Sequence, residues 1–173
     1  LIKRLIRGAS VAINGACLTA VKIQKNQVNF DLMAETLRST TFNELKIGDI
    51  VNIERSAKFG DEVGGHFLSG HIYDTAKIIF IKNNGKNVKM TFQVKLKWMK
   101  YLFDKGFIAL DGCSLTINEI NKKEKTFAVW FIPKTLSSTT FGKKQIGQMI
   151  NMEIDWQTKI IVDRIDLLLN KKL

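Results

Sequence analysis

The sequence predicts an all-β protein of two similar small antiparallel barrels, the first short of its opening strands, followed by a C-terminal α-helix. Three observations carry that expectation: a long internal repeat, short β-branched and aromatic runs cut by turn residues, and a closing segment with helical spacing. The repeat is clearest between SVAINGACLTAVKI (Ser10 to Ile23) and GFIALDGCSLTINEI (Gly106 to Ile120), where Gly15 and Gly112 are 97 residues apart. FDLMAETLRSTTF (Phe30 to Phe42) then matches VWFIPKTLSSTTF (Val129 to Phe141), and IGDIVNIE (Ile47 to Glu54) matches IGQMINME (Ile146 to Glu153). There the offset, Thr36 to Thr135, is 99. The two extra residues fall in the lysine-rich loop at Lys122 to Lys125, where lengthening a hairpin connection costs little.

Taken in order, VAIN, CLTAVKI, QVNFDLM and, after the Gly48-Asp49 turn, DIVNIER read as strands of the first copy. HIYDTAKIIFIKNNGKNVKMTFQV reads as two further strands joined by an Asn-Gly hairpin turn, and it belongs to the second copy. KWMKYLFDKG (Lys97 to Gly106) has helical spacing, as does the final TKIIVDRIDLLLNKKL, whose Ile160, Ile161, Ile165, Leu168 and Leu169 form an apolar stripe. The second copy draws on the 41 residues between Gly70 and Gly112, whereas only 14 precede Gly15. Two opening strands are therefore expected to be missing from the first barrel, leaving unpaired edges. A chain that begins on Leu1 rather than methionine agrees with a fragment or a truncated gene product. The expected units are residues 1–66 for the first barrel, 67–163 for the second and 158–173 for the helix.

Composition narrows the class. With 173 residues, 45% hydrophobic, 25% charged and one proline, Pro133, the chain is a folded domain or pair of domains. No apolar run reaches the roughly 18–20 residues that span a bilayer, and no short apolar segment precedes a small-residue cleavage site. A cytoplasmic protein without membrane contact is expected. Cys17 and Cys113 sit in matching contexts with no histidine close by in sequence, so zinc and disulfide readings are weak. A formal charge of +11 raises a nucleic-acid partner. The lysines fall mostly at turns (Lys82, Lys86, Lys143, Lys144), and no aromatic stacking motif interleaves with them, so no nucleic-acid partner is expected.

NGACLT, FDLMAETLR, LKIGDIVNIERSAKF, GGHFLSGHI, KGFIALDGCSLT and IPKTLSSTT, six strings in order and related by the repeat, together resemble the riboflavin synthase family along essentially the whole chain. That resemblance implies two six-stranded Greek-key barrels per chain and a C-terminal helix that assembles a homotrimer. It also implies sites built between the first barrel of one subunit and the second barrel of its neighbour. The implied reaction is dismutation of two molecules of 6,7-dimethyl-8-ribityllumazine to riboflavin and 5-amino-6-ribitylamino-uracil, with no metal or other cofactor. One lumazine must lose a proton from its C7 methyl group and the other must accept a nucleophile at C7, with the two rings stacked.

Carried over by position, the resemblance places the first site on Cys17, Leu18 and Thr19 and on Asp31, Leu32, Met33, Ala34, Glu35 and Thr36. Gly70, His71 and Ile72 join that site. The second site is expected on Lys105, Ser114, Leu115 and Thr116 and on Ile132, Pro133, Lys134, Thr135, Leu136 and Ser137. The candidate catalytic groups are Cys17, His71, Ser114, Lys105, Asp111 and Ser10. Cys17 and Ser114 occupy equivalent positions, each before Leu-Thr; the competing reading of each is a small residue packed inside a barrel. His71 is a candidate acid or base, and His66, an odd number of residues away, would face the other side of a strand and is read as structural. Lys105 and Asp111 have Gly8 and Asn14 as their first-copy equivalents, so a charged pair beside one site only would let identical substrates take different roles. Its competitor is a surface ion pair of small energy. A working synthase is the leading expectation; a non-catalytic lumazine- or flavin-binding relative, or an inactive truncated synthase, is the alternative.

Overall fold

The computed structural model describes residues 2–170; Leu1 and the last three residues of the expected helix, 171–173, lie outside the described residues. In the first copy, β1 (Ser10–Ile13), β2 (Ala16–Gln24), β3 (Gln27–Phe30) and β4 (Ile53–Arg55) form a four-stranded antiparallel sheet in the order β3-β2-β1-β4. In the second, β5 (Asp74–Asn84), β6 (Asn87–Gln93), β7 (Phe107–Leu110), β8 (Cys113–Thr116), β9 (Asn118–Asn121), β10 (Thr126–Phe131) and β11 (Met149–Ile154) are ordered β8-β7-β11-β5-β6-β10-β9. The two ends of that order, β8 and β9, are joined by the single residue Ile117, so the sheet curls round on itself. Counted as one bent strand, β8 and β9 match the continuous β2 and make six strands to the first copy's four. The absent pair corresponds to β5 and β6, and β3 and β4 are left as unpaired edges among the described residues.

Burial follows strand number. The second copy encloses a core that includes Phe92, Phe127, Phe131 and Phe141, all 1% exposed or less. The first has a smaller one around Leu5, Val11, Ile13, Leu18 and Phe42. Each repeated STTF string makes a short helix followed by a 3₁₀ turn: α1 (Ala34–Ser39) then Thr41–Glu44, and α2 (Pro133–Ser138) then Thr140–Lys143. Thr40 and Thr139 cap these turns by accepting from Phe42 N and Phe141 N, which drives both phenylalanines inward. The strand read through QVNFDLM therefore ends at Phe30, and DIVNIER is strand only from Ile53. Lys97 to Gly106 holds a 3₁₀ turn, Leu96–Tyr101, instead of a full helix, and it buries Trp98, Met99 and Tyr101. The hairpin forms as expected, but its turn lies one residue later than the Asn-Gly pair: Gly85 (φ 60) and Lys86 make it, between paired Asn84 and Asn87.

The barrels meet at their repeated turns. Asn14-Gly15 (φ 43 and 80) and Asp111-Gly112 (φ 44 and 82) both take the left-handed pair of conformations that a two-residue hairpin needs. The tips touch: a Cβ on Gly15 would fall 2.5 Å from the Gly112 nitrogen. Around them Asn52 and Asn151 exchange bonds across the junction. Asn52 Nδ2 donates to Asp111 O (3.0 Å) and Asn151 Nδ2 to Asn14 O (2.9 Å), while Thr140 N donates to Asn52 Oδ1 and Thr41 N to Asn151 Oδ1 (both 2.8 Å). Within each copy, Asn52 N donates to Asn14 Oδ1 and Asn151 N to Asp111 Oδ1.

The C-terminal helix α3 (Trp156–Asn170) docks on the second barrel through Val162 and a polar cluster. Tyr101 Oη donates to Asp163 (2.5 Å), Lys159 donates to the other Asp163 oxygen (2.5 Å), and Lys100 donates to Asp166 (2.6 Å). The Lys159 ammonium, then the Tyr101 hydroxyl, hold the Asp163 carboxyl down at about 2. Ile160, Ile161, Ile165, Leu168 and Leu169 remain exposed.

Asn151→Ala removes the partners of Thr41 N and Asn14 O at a buried junction, and each unpaired group costs roughly 1–3 kcal/mol. Urea unfolding is expected to show a loss of roughly 2–4 kcal/mol; a change below about 0.5 kcal/mol would mean that the junction does not hold the barrels together.

Candidate functional site

Alternation along β2 sends Leu18 into the core and leaves Cys17 and Thr19 outside; along β8 it buries Leu115, exposes Thr116 and half-buries Ser114. Leu18 and Leu115 therefore offer a site only their backbone. β3 ends at Phe30 opposite Ala20, so residues 31–36 leave the sheet beside the Cys17–Thr19 end of β2. Asp31, Leu32, Met33, Ala34 and Glu35 are exposed there and Thr36 is half-buried; Glu35 is bonded to Arg38. In the second copy the chain leaves β10 at Phe131 in the same way. Ile132, Pro133, Lys134 and Ser137 are exposed, and Thr135 and Leu136 are half-buried, with Leu136 packed against the core. Met33 and Ile132 hold extended backbone ahead of α1 and α2 without a side-chain cap.

The linker between the barrels supplies the feature that strand reasoning missed. GGHFLSGHI forms no strand, so the odd separation of His66 and His71 does not put them on opposite faces of anything. It carries two Gly-His dipeptides, and each glycine lies on one of the equivalent positions. Gly65 (φ 90) has no room for a Cβ because Ser114 Oγ would be 2.2 Å away, and Gly70 (φ 76) has none because Cys17 Cβ would be 2.5 Å away. Cys17 N donates to Gly70 O (2.9 Å). His66 N donates to Ser114 Oγ (3.2 Å), His66 Nδ1 is 2.6 Å from the same oxygen, and the ring stacks on Phe107. Burial lowers the His66 imidazole from its ordinary range, partly offset by Asp155 and Glu153. His71 is exposed, with Nδ1 2.8 Å from Ser69 Oγ, while Ile72 packs on the first core.

An open cleft of about 820 Å³ runs between the barrels and brings Ser10, Cys17, Gly70, Asp111, Ser114 and Ser137 onto one surface, with His66 and Glu54 among them. Thr19, His71, Ile72, Lys105, Thr116 and residues 31–36 and 132–136 lie outside it. The expected Lys105–Asp111 pair does not form. Asp111 is 1% exposed under its hairpin turn and pairs with Lys144 at 2.8 Å; burial raises its carboxyl and Lys144 pulls it back. Lys105 is exposed, and its ammonium lies 3.1 Å from the end of the Asn118 side chain, where the amide oxygen of a flipped Asn118 would accept from it. Burial, with Glu54 adding to it, pushes the Cys113 thiol up to about 11.

Two repeats of one sheet, each presenting an outward position before Leu-Thr, define a duplicated β architecture with paired equivalent positions. The lumazine binding domain family model matches residues 2–56 and 69–155. The chain belongs to the riboflavin synthase family. It is 53% identical over 174 residues to the riboflavin synthase of Buchnera aphidicola subsp. Schizaphis graminum, covering all of this chain and 83% of that one. It is 50% identical over 163 residues to the Escherichia coli K12 riboflavin synthase, covering 94% of this chain and 76% of that one. Among solved structures, LumP complexed with riboflavin matches with a TM-score of 0.81 at 25% identity over 89% of this chain and 82% of that one. LumP complexed with 6,7-dimethyl-8-(1'-D-ribityl) lumazine gives 0.79 at 24%, over 89% and 81%, and shows the shared fold.

His66, Ser69 and Glu153 were not among the expected site residues. The available signals were the doubled Gly-His dipeptide and the glutamate shared by IVNIE and MINME.

Gly70→Ala and Gly60→Ala test the linker's fit. Both glycines have positive φ, but a Cβ on Gly60 meets nothing within 4 Å. Gly60→Ala should show backbone strain alone, roughly 1 kcal/mol. Gly70→Ala should lose more stability than that and weaken lumazine binding in fluorescence titration; equal behaviour of the two variants would refute the close approach to Cys17.

Proposed function

We propose that the chain is a riboflavin synthase that dismutates two 6,7-dimethyl-8-ribityllumazine molecules to riboflavin and 5-amino-6-ribitylamino-uracil. The observation that carries this reading is the doubled site: equivalent outward positions, Cys17 and Ser114, each with a Gly-His dipeptide laid over it, suit a reaction that consumes two copies of one substrate. In this reading Cys17, Thr19 and residues 31–36, with Gly70, His71 and Ile72, take one lumazine. Lys105, Ser114, Thr116 and residues 132–137 take the other. Exposed Met33 and Ile132 give each ring an apolar contact. The threonines and the uncapped backbone before α1 and α2 serve the pyrimidinedione edge, and the carboxylates of Asp31 and Glu35 serve ribityl hydroxyls. His71 receives the proton of the C7 methyl group. The different neighbours of the two sites, Lys105 in one and His71 in the other, separate donor from acceptor.

A binding-only role is the second reading, favoured by the likeness of the fold to LumP complexed with riboflavin. The compartment we assign is the cytoplasm, in keeping with two free thiols.

Steady-state turnover of 6,7-dimethyl-8-ribityllumazine, read as riboflavin appearance alongside ligand-fluorescence titration, tests this. Cys17→Ala and His71→Ala are each expected to lower turnover by roughly 10²-fold or more while the fold persists. Tight binding with no product would favour the binding-only reading, and absence of binding would remove the site assignment altogether.

The assembly we propose is a homotrimer joined through α3, whose Ile161 and Leu168 are exposed on a helix already anchored by its polar face. Sedimentation equilibrium should return three times the 19.7 kDa chain mass, and Ile161→Asp with Leu168→Asp should return one. A monomeric parent would overturn the assembly.

A further inference from the structure

Glu153 sits at 2% exposure in β11, and three donors converge on its carboxylate. Ser69 N and Ser69 Oγ donate to one oxygen (both 2.7 Å), and Gly70 N donates to the other (3.1 Å). Ser69 Oγ in turn lies 2.8 Å from His71 Nδ1. A hydroxyl has one proton to give, and a carboxylate can only accept. With the Ser69 proton directed at Glu153, the serine shows His71 lone pairs alone, and the hydrogen in the Ser69–His71 bond must come from the imidazole. His71 therefore carries its hydrogen on Nδ1, and its basic lone pair is on Nε2. Unconstrained imidazole in water prefers the opposite tautomer.

We propose that Ser69 and Glu153 are positioning residues that hold His71 as its Nδ1–H tautomer and present Nε2 as the proton acceptor of the first site. The tautomer follows from the hydrogen-bond chain alone; the acceptor role rests on the reading of His71 given under the proposed function. The C7 methyl proton moves onto Nε2, its C–H electron pair passes into the lumazine ring, and the resulting imidazolium keeps its Nδ1–H bond to Ser69. The imidazolium is discharged when a nitrogen of the uracil product is reprotonated. Glu153 belongs to the second copy, so one barrel sets the proton chemistry of the other's site. Its repeat equivalent, Glu54, is exposed in the cleft.

Long-range ¹H–¹⁵N spectra of the labelled full chain read the tautomer directly, and with only two histidines His66→Gln assigns the signals. The expected result is Nδ1–H for His71 in the parent and in Ser69→Thr, with reversion to the free-imidazole mixture in Ser69→Ala. Ser69 is on the linker and outside both cores, so this substitution is not expected to unfold the chain; Glu153→Gln, which turns one acceptor oxygen into a donor, provides a second reading. Turnover by Ser69→Ala should fall roughly three- to tenfold in kcat with KM unchanged, and fall no further than His71→Gln when the two are combined. An Nε2–H tautomer in the parent, or a tautomer indifferent to Ser69→Ala, would overturn the proposal. An Nδ1–H tautomer with kcat unaffected by Ser69→Ala would overturn its acceptor part. A chain that shows the expected tautomer but makes no riboflavin would instead contradict the proposed function, leaving the positioning of His71 standing.

Discussion

The reciprocal hydrogen bonds that Asn52 and Asn151 each make to the backbone of the other copy, at the meeting of the two hairpin tips, are the constraint on which the rest of the molecule depends. Each asparagine belongs to one copy, satisfies a turn of its own copy through its backbone N–H, and reaches across to the other with its side chain. Asparagine suits this because its amide offers a donor and an acceptor on one short, planar group, and both are used at the junction, where Asn151 is fully buried. The glycines at the tips let the backbones approach closely enough for those bonds to form. The result is an approximate twofold relation between the copies, and the cleft between the barrels is a consequence of it.

That relation explains why the linker can reach both equivalent positions. A segment crossing from β4 to β5 passes both equivalent positions, and a Gly-His dipeptide at each contact keeps the crossing close to the surface. The surroundings of the two histidines differ. His66 is stacked on Phe107 and held against Ser114, where burial disfavours its charged form. His71 is exposed and tied through Ser69 to a carboxylate of the opposite barrel. Sequence repetition thus yields similar scaffolds, while the single, unrepeated linker gives them unlike chemistry.

The Asp111 position illustrates how a repeat can mislead. Read along the chain, a charged residue present in one copy and replaced by Asn14 in the other looks like a functional asymmetry. In the fold both residues perform one backbone task in a hairpin turn, and the extra charge is met by Lys144 instead of Lys105. The polar character was visible in the sequence, but the partner depended on which loops the junction brings together.

The sequence by itself determined the duplication, the β class, the two strands by which the copies differ, the β5–β6 hairpin and the C-terminal helix. All of these follow from periodicity and local backbone preference, which act over a few residues or repeat in register. It left open whether Cys17 and Ser114 are packed inside a barrel or face a ligand; in the fold both flank a buried leucine and turn away from the core. Tertiary structure alone decided that His66 lies on Ser114, that Glu153 acts on His71 through Ser69, and that Asp111 belongs to the junction. Those contacts join residues 33 to 84 positions apart through an irregular linker and a turn, where no periodicity exists to read and only the packing of one barrel against the other selects partners.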